Sequence, residues 1–391
     1  MVHPFVFYRQ PNADKIICLM QTKGETLKLW NFDAVSDCSG FVLAPFVVSK
    51  DAPIEVLVPD EKREILQQDM NAKSLLSILN SVNLKDAASE YISNGKEKCC
   101  INTKKNNNTA VGTAANDLET YNEQRCQYCK DFKHFYGEIA NHQFDKIVLA
   151  RQEAVKPQRY VSSLELFCRA CRFYPQQFVA LVSFPNAGTW LMATPEILVE
   201  QVAQQWHTVA LAGTMRAENR ESGKDENDGT ITWSFKNKQE QAYVADYIAH
   251  TLGNFASQVS QDGPHTVLAG KLFHLKTDFY FKLKQDVSIG QLISALHPTP
   301  AVCGRPKSDT FHYIRQYEHA DRSYYSGFAG PIGTARQLTR LYVNLRCMQI
   351  HSNYYTLYAG GGLVEGSNED AEWNETVAKM DTMRSLFKCN K

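Results

Sequence analysis

The stretch AGGGLVEGSNEDAEWNETVAKM, residues 359–380, carries the most structural information in this chain and predicts a glycine cluster followed by a polar helix. Ser367 is placed to cap this helix at its N-terminus. Within the helix, Glu372, Glu375 and Lys379 lie three and four residues apart, so all three project from one face. Two such carboxylates repel each other unless a cation lies between them, and hard oxygen ligands of this kind suit magnesium. The glycines could offer exposed backbone N–H groups that cradle a carboxylate or a phosphate.

On spacing alone, the same stretch has a simpler interpretation, which is a solvated acidic helix face after a glycine turn. A second cluster, LHPTPAVCGRP at residues 296–306, is followed by Glu318, Arg322 and Tyr325. Its prolines fix the backbone, and rigid loops commonly position functional side chains. Taken alone, His297 in this loop is more often a satisfied structural histidine than a catalyst. These features therefore need support from other segments.

Two further polar residues border apolar runs that predict strands. Lys146 begins the run KIVLA, where it either reaches solvent or is buried with a lowered pKa that would suit a general base. Glu196, in ATPE, precedes the run ILV. Neither position would stand out without the rest of the chain.

Together these segments resemble the signature of the chorismate-binding enzymes, which include anthranilate, aminodeoxychorismate, salicylate and isochorismate synthases. The resemblance runs collinearly from about Lys146 to Lys379 and combines several independent motifs. Departures occur at positions such as Cys303, where many members have glycine. The family fold implied is α+β, with two large packed antiparallel sheets and helices outside. Residues 1–115 are expected to form a strand-rich portion of that fold, and residues 116–391 the catalytic portion.

The resemblance implies a magnesium site. Glu240 and Glu375 match the direct ligands, and Glu372 matches a residue that binds the metal through water. The metal would hold the ring carboxylate of the substrate, chorismate.

The resemblance also implies how chorismate is bound. Arg346 and Lys379 would hold its carboxylates, together with backbone N–H groups near Gly361 and Gly362. His297 would approach the hydroxyl that leaves the ring. The turn that lines the substrate is matched by Ala212, Gly213 and Thr214.

Lys146 indicates which chemistry is used. Family members that use ammonia typically have glutamine here, whereas those that use water have lysine, because water is a poor nucleophile and needs a base. Lys146 would therefore deprotonate water that attacks C2, and protonated Glu196 would donate to the hydroxyl leaving C4. This favours an isochorismate synthase, serving menaquinone or siderophore synthesis. Salicylate synthase stays open because it shares the first step, and anthranilate synthase is disfavoured.

Bulk composition limits the other function classes. The formal net charge is zero, which argues against a nucleic-acid or anionic-membrane partner. The sequence shows neither a signal peptide nor an apolar run of membrane-spanning length, and its eleven scattered cysteines suit reduced thiols. A cytoplasmic enzyme is therefore expected. We expect it to be monomeric, with at most a weak contact to a downstream enzyme. The pairs Cys126/Cys129 and Cys168/Cys171 leave a non-catalytic zinc protein as the alternative from another class. Both pairs fit apolar helix positions, so buried thiols are the preferred interpretation.

Overall fold

The architecture is known from a computed structural model. It describes residues 3–82, 110–202, 204–216, 231–269, 272–333 and 339–388. Strands and helices are numbered in chain order. Among these residues, no helix is long and apolar enough to cross a membrane.

The first sheet is antiparallel, with the strand order β14-β7-β18-β17-β9-β8-β1-β2-β6. Its strands are β1 (Phe5–Arg9), β2 (Lys15–Met20), β6 (Glu61–Leu66), β7 (Lys146–Val155), β8 (Phe178–Phe184), β9 (Gly188–Thr194), β14 (Gly304–Arg305), β17 (Cys347–Ile350) and β18 (Tyr355–Leu363). Strand β8 is buried along its whole length, as expected for a central strand covered on both faces.

The second sheet is also antiparallel, with the order β12-β13-β11-β10-β16-β15-β4-β5-β3. Its strands are β3 (Leu27–Leu29), β4 (Gly40–Ala44), β5 (Ile54–Leu57), β10 (Ile197–Val202), β11 (Gln205–Arg216), β12 (Ala256–Ala269), β13 (Leu272–Leu283), β15 (Phe328–Ile332) and β16 (Arg340–Val343). Strands from before residue 115 thus lie in both sheets, beside strands from the later part of the chain.

Seven α-helices are described. They are α1 (Ala72–Ser81), α2 (Ala110–Ala140), α3 (Ser163–Phe173), α4 (Phe235–Phe255), α5 (Ile289–Leu296), α6 (Lys307–Tyr317) and α7 (Glu369–Arg384). Short 3₁₀ turns occur at Asp33–Asp37, Gln67–Asp69 and Ser385–Phe387. Ser162 caps α3 by accepting a hydrogen bond from the Glu165 N–H.

The chain packs as layers around separate apolar clusters. Between the sheets lies a cluster that joins Phe41 of one sheet to Trp190 of the other. Helix α3 covers the outer face of the first sheet, and α4 and α5 cover that of the second. The prediction of two packed antiparallel sheets with helices outside is confirmed.

Cysteine positions match the preferred interpretation in part. Cys168 and Cys171 are buried in the core under α3, as predicted for small hydrophobes. Cys126, expected on the buried stripe of α2, is exposed instead, and Cys129 is half-buried. The reason is helix geometry: Tyr128, Phe132, Phe135 and Ile139 form the buried face of α2, and Cys126 lies on the opposite face.

Candidate active site

A pocket lies between the two sheets where β7 and β18 of the first face β11 and β13 of the second. The pocket has a volume of about 40 Å³ and is partly open to solvent. Its walls include Val148, Glu196, Leu211, Ala212, Gly213, Thr214, Glu240, His274, Val302, Tyr325, Arg346, Gly360, Gly362 and Lys379. Predicted residues from separate segments of the sequence are therefore brought to one place.

Lys146 lies behind the pocket wall and is completely buried. Its Nζ is 3.0 Å from Oε1 of Glu240, which projects from α4. A Cβ atom built on Gly362 would lie 2.3 Å from that Glu240 oxygen and 2.7 Å from Lys146 Cε. Only a residue without a side chain fits this position, because the lysine and the glutamate fill the space.

The two preceding glycines, Gly360 and Gly361, likewise leave room for side chains that approach the strand. A Cβ on Gly361 would lie 2.9 Å from Glu372 Oε2, and one on Gly360 would lie 2.9 Å from the Tyr325 hydroxyl. The run is part of β18 and pairs with β7, for instance Gly362 with Val148. The simpler interpretation, a glycine turn before a solvated helix, is therefore wrong: these residues form a strand whose bare surface lets functional side chains approach the backbone.

Glu196 stands just before β10 and is 2% exposed. Burial raises its pKa to about 8, although the positive charges of Lys146, Arg346 and Lys379 act in the opposite direction. The carboxyl group is thus largely protonated at neutral pH. A protonated carboxylic acid in a pocket beside cations has the property that a general acid requires.

Two cations form another part of the pocket. Arg346, between β16 and β17, is buried, and that burial lowers the pKa of its guanidinium. Lys379 of α7 donates to the Gly360 carbonyl at 2.7 Å and lies 2.7 Å from Glu375 Oε1. A ligand carboxylate would meet these cations in a largely desolvated space, where charge attraction is strong.

The predicted substrate turn is a bulge in β11. The pairing register with β13 shifts between Ala212 and Thr214, and Gly213 adopts φ +70° there. A side chain at Gly213 would also lie 3.0 Å from the Asn237 carbonyl at the start of α4. Gln241 of α4 accepts from the Ala212 N–H at 2.8 Å and so fixes the bulge to the helix.

His274 of β13 is a pocket residue that the sequence did not reveal. Its Nδ1 lies 3.0 Å from the Gly213 carbonyl, so this nitrogen carries the proton. Nε2 is then an acceptor and faces Arg346 Nη2 at 3.4 Å. Burial, followed by the charges of Arg346 and Lys379, lowers the pKa of His274 to about 3, which keeps the ring neutral. Its strand shows only an ordinary apolar alternation, so no sequence signal marked it.

His297, by contrast, is not part of the pocket wall. The residue caps the C-terminus of α5, and its ring lies among aromatic rings, with centroids 4.9 Å from Phe32 and 5.2 Å from Phe328. The expectation that it approaches the substrate is corrected, because the loop turns its ring into the core. Ala301 and Val302 of the same loop line the pocket instead.

The three predicted metal ligands lie on two helices, and each is paired with a lysine. Besides the Lys146–Glu240 and Lys379–Glu375 pairs, Lys236 of α4 contacts Glu372 of α7. Lys236, one turn before Glu240, was not predicted. Within the described part of the chain, no group of three or more acidic, histidine or cysteine side chains is positioned to hold a metal ion.

Glu372 nevertheless has the character of a cation ligand. Its Oε2 is buried without a hydrogen-bond partner, while Oε1 accepts from Ser367 at 2.9 Å. Burial, then the negative charge of Glu375, raises the pKa of Glu372 to about 7 despite Lys236. A buried carboxyl oxygen without a partner and a second carboxylate nearby fit the chemistry of a hard divalent cation. Magnesium binding itself stays a prediction.

Ser367 has a different role from the one predicted. Helix α7 is capped by Asn368, whose side chain accepts from the Ala371 N–H at 3.1 Å. Ser367, one residue earlier, orients Glu372 through the hydrogen bond described above and accepts from the Val364 N–H at 3.2 Å. The capping prediction was wrong by one residue, because both side chains can serve as caps and local sequence does not rank them.

Comparison with known proteins agrees with this geometry. The model of the family described as chorismate binding enzyme matches residues 61–388. The chain belongs to the chorismate binding enzyme family.

Two curated relatives are isochorismate synthases. The isochorismate synthase EntC of Escherichia coli strain K12 is 28% identical over 249 residues, which is 63% of each chain. The isochorismate synthase DhbC of Bacillus subtilis strain 168 is 30% identical over 253 residues, again 63% of each chain. The chain thus matches just under two thirds of the length of these relatives.

A solved structure shares the fold over almost the whole chain. MenF, the menaquinone-specific isochorismate synthase from Escherichia coli, superimposes with a TM-score of 0.70 at 20% identity. The superposition covers 98% of this chain and 89% of that one. The two proteins therefore share the arrangement of two sheets and outer helices.

Proposed function

We propose that the protein is an isochorismate synthase that converts chorismate into isochorismate. The observation that carries this proposal is the combination of a buried lysine, Lys146, behind the pocket wall and a buried glutamic acid, Glu196, on that wall, whose pKa is raised to about 8. The pair suits a substitution in which one group removes a proton and the other supplies one. The isochorismate synthases among the relatives support the same reaction.

The proposed reaction is an allylic substitution. Water attacks C2 of the ring and gives a proton to Lys146 Nζ, forming the new C–O bond. The two ring double bonds each move by one position, and the C4–O bond breaks. Glu196 donates its proton to the leaving hydroxyl, which departs as water. One water enters and one leaves, so the product is an isomer of the substrate.

The other residues bind and orient the substrate. We propose that Arg346 and Lys379 hold its carboxylates, and that neutral His274, 3.4 Å from Arg346 Nη2, keeps the guanidinium in position. Glu240, Glu372 and Glu375 are not arranged as a three-residue metal site in this structure, but we propose that they would hold a magnesium ion, which would compensate the charge of the substrate's ring carboxylate.

Product identification tests this proposal directly. Purified protein is incubated with chorismate and magnesium in ¹⁸O-labelled water, and the products are separated and analysed by mass spectrometry. Isochorismate with one heavy oxygen atom is expected, because the new hydroxyl comes from solvent. Salicylate with pyruvate would show the longer reaction, and turnover that requires ammonia would refute the proposal.

A matched pair of variants tests the base. Lys146→Ala is expected to lower kcat by about 10²–10⁴-fold, the usual range for loss of a positioned base. Lys156, which follows β7 and is exposed, provides the control, and Lys156→Ala is expected to keep the parent rate. Parent activity in Lys146→Ala would remove the lysine from the mechanism.

We also assign the reaction to a monomer in the cytoplasm. The eight cysteines in the described residues are all free, as in a reducing compartment. Light scattering and cell fractionation measure the two properties.

A further inference from the structure

A buried ion pair, Glu318 with Arg322, stands beneath the pocket and has no place in the chemistry above. Both side chains are almost fully buried, at 2% and 3% exposure. Arg322 donates to the carboxylate twice, from Nε to Oε2 at 2.5 Å and from Nη2 to Oε1 at 2.7 Å. Such a fork-to-fork pair fixes the orientation of both groups.

The remaining hydrogen bonds of this pair go to the pocket wall. Arg322 Nη1 donates to the Val302 carbonyl at 2.6 Å, and Nη2 donates to the Val148 carbonyl at 2.9 Å. Glu318 Oε1 accepts from the Ala150 N–H at 2.7 Å. Val148 and Val302 both line the pocket, and Val148 is two residues from Lys146 on the same strand.

A third wall segment depends on the backbone of Arg322. Its carbonyl accepts from the Tyr325 N–H at 2.7 Å, and Tyr325 lines the pocket. The guanidinium also lies 4.3 Å from the ring of Phe46, which closes its remaining side. One side chain and its own turn therefore connect three segments that are far apart in the sequence.

We propose that the Glu318–Arg322 pair is a positioning clamp: it sets the distance between the strand that carries Lys146, the loop at Val302 and the turn at Tyr325, and so determines the rate of the reaction. The rate statement rests on the function proposed above. A purely structural pair would contribute to folding and leave the geometry of the pocket unchanged once the fold is stable. A clamp would show its effect on turnover even when stability is restored.

The double variant Glu318→Gln with Arg322→Met separates these two roles. Replacing both charges avoids the unpaired buried charge that each single replacement leaves, and a buried ion pair replaced by neutral groups often keeps stability. The glutamine of this variant would still have an oxygen for the Ala150 N–H, but the methionine has no donor for the Val148 and Val302 carbonyls. We expect the melting temperature of the double variant to lie closer to the parent value than that of either single variant. Its kcat should stay at least tenfold below the parent kcat.

Arg322→Lys provides a second variant if the double variant does not fold. Lysine keeps the charge opposite Glu318, but one ammonium group does not reproduce the planar fork that reaches both carbonyls. A tenfold or greater fall in kcat with a smaller change in KM is expected. The control is the pair Glu165 and Arg169, which has the same i,i+4 spacing at 2.9 Å and does not touch the pocket. Replacing these two residues by glutamine and methionine should leave kcat unchanged.

Hydrogen exchange measures the clamp without any turnover. The Val148 N–H donates to the Cys303 carbonyl at 2.7 Å, so loosening of the two segments should speed exchange in peptides covering 146–150 and 299–303. Faster exchange confined to these peptides in a stably folded variant supports the clamp. Parent exchange and parent kcat in that variant overturn it. If the parent protein does not convert chorismate, the proposed function fails, and the exchange data still decide whether the clamp exists.

Discussion

Gly362→Ala tests the geometry of the proposed base most directly. The added Cβ would lie 2.7 Å from Lys146 Cε, whereas carbon atoms pack best at about 3.5 Å or more. Lys146 must then retreat by about 0.8 Å, the difference between these two distances. The Cβ would also lie 2.3 Å from Glu240 Oε1, so both members of the ion pair are displaced together.

The expected effect is on the rate more than on the fold. A misplacement of about 1 Å at a reacting group costs on the order of a hundredfold in rate, so kcat of Gly362→Ala should fall by roughly that factor. Overpacking of this kind typically destabilises a protein by about 1–3 kcal/mol, which leaves a chain of this size folded. Steady-state conversion of chorismate gives kcat and KM, and urea unfolding gives the stability.

Gly253→Ala is the matched control. Gly253 lies near the end of α4, and a Cβ there meets nothing within 4 Å. Alanine favours helix over glycine by up to about 1 kcal/mol, so this variant should be at least as stable as the parent and equally active. If Gly362→Ala keeps the parent kcat, then Lys146 does not depend on the bare strand surface, and the argument for its position fails.

Three further predictions concern the acid and the metal site. Glu196→Gln keeps the shape but cannot donate a proton, so kcat should fall by about 10²–10⁴-fold with little change in KM; an unchanged kcat would exclude Glu196 as the acid. Burial raises the pKa of Glu196 to about 8, above its usual 4.5, so the protonated active form is lost as pH rises through 8. Activity should therefore decline around pH 8, and a kcat profile that is flat from pH 7 to 9 would contradict this. Lys236→Met removes a positive charge beside Glu372 and should tighten magnesium binding, measured by calorimetry, by about tenfold. The control Lys238→Met, on the exposed side of α4, should leave magnesium binding unchanged. Weaker binding in Lys236→Met would show instead that the lysine supports the metal site.

Much of the site could be predicted from local patterns. The spacing of Glu372, Glu375 and Lys379 placed them on one helix face, and the apolar run after Lys146 predicted the strand that buries it. These inferences succeed because helix and strand periodicity are local properties of the chain. Recognition of several collinear motifs then implied the two-sheet fold, which the structure confirms.

Other features depended on distant contacts. His274 enters the site because β13 pairs with β11, and Lys236 enters it because α4 faces α7. Both contacts join segments that are far apart in the chain, so no short stretch of sequence predicts them. The same holds for His297, whose ring packs between Phe32 and Phe328 from remote parts of the chain. The spacing of residues within a rigid loop does not determine which of its side chains point into the core and which point into the pocket.

The sequence by itself determined the family, the two-sheet class and the helix that bears the acidic residues, since each follows from periodicity and motif order. Only the tertiary structure decided that the glycines are a bare strand surface, that each of the three predicted metal ligands lies beside a lysine, and that burial raises the pKa of Glu196. The reason is physical: burial and the charges gathered around a group set its protonation, and both arise when segments far apart in the chain come together.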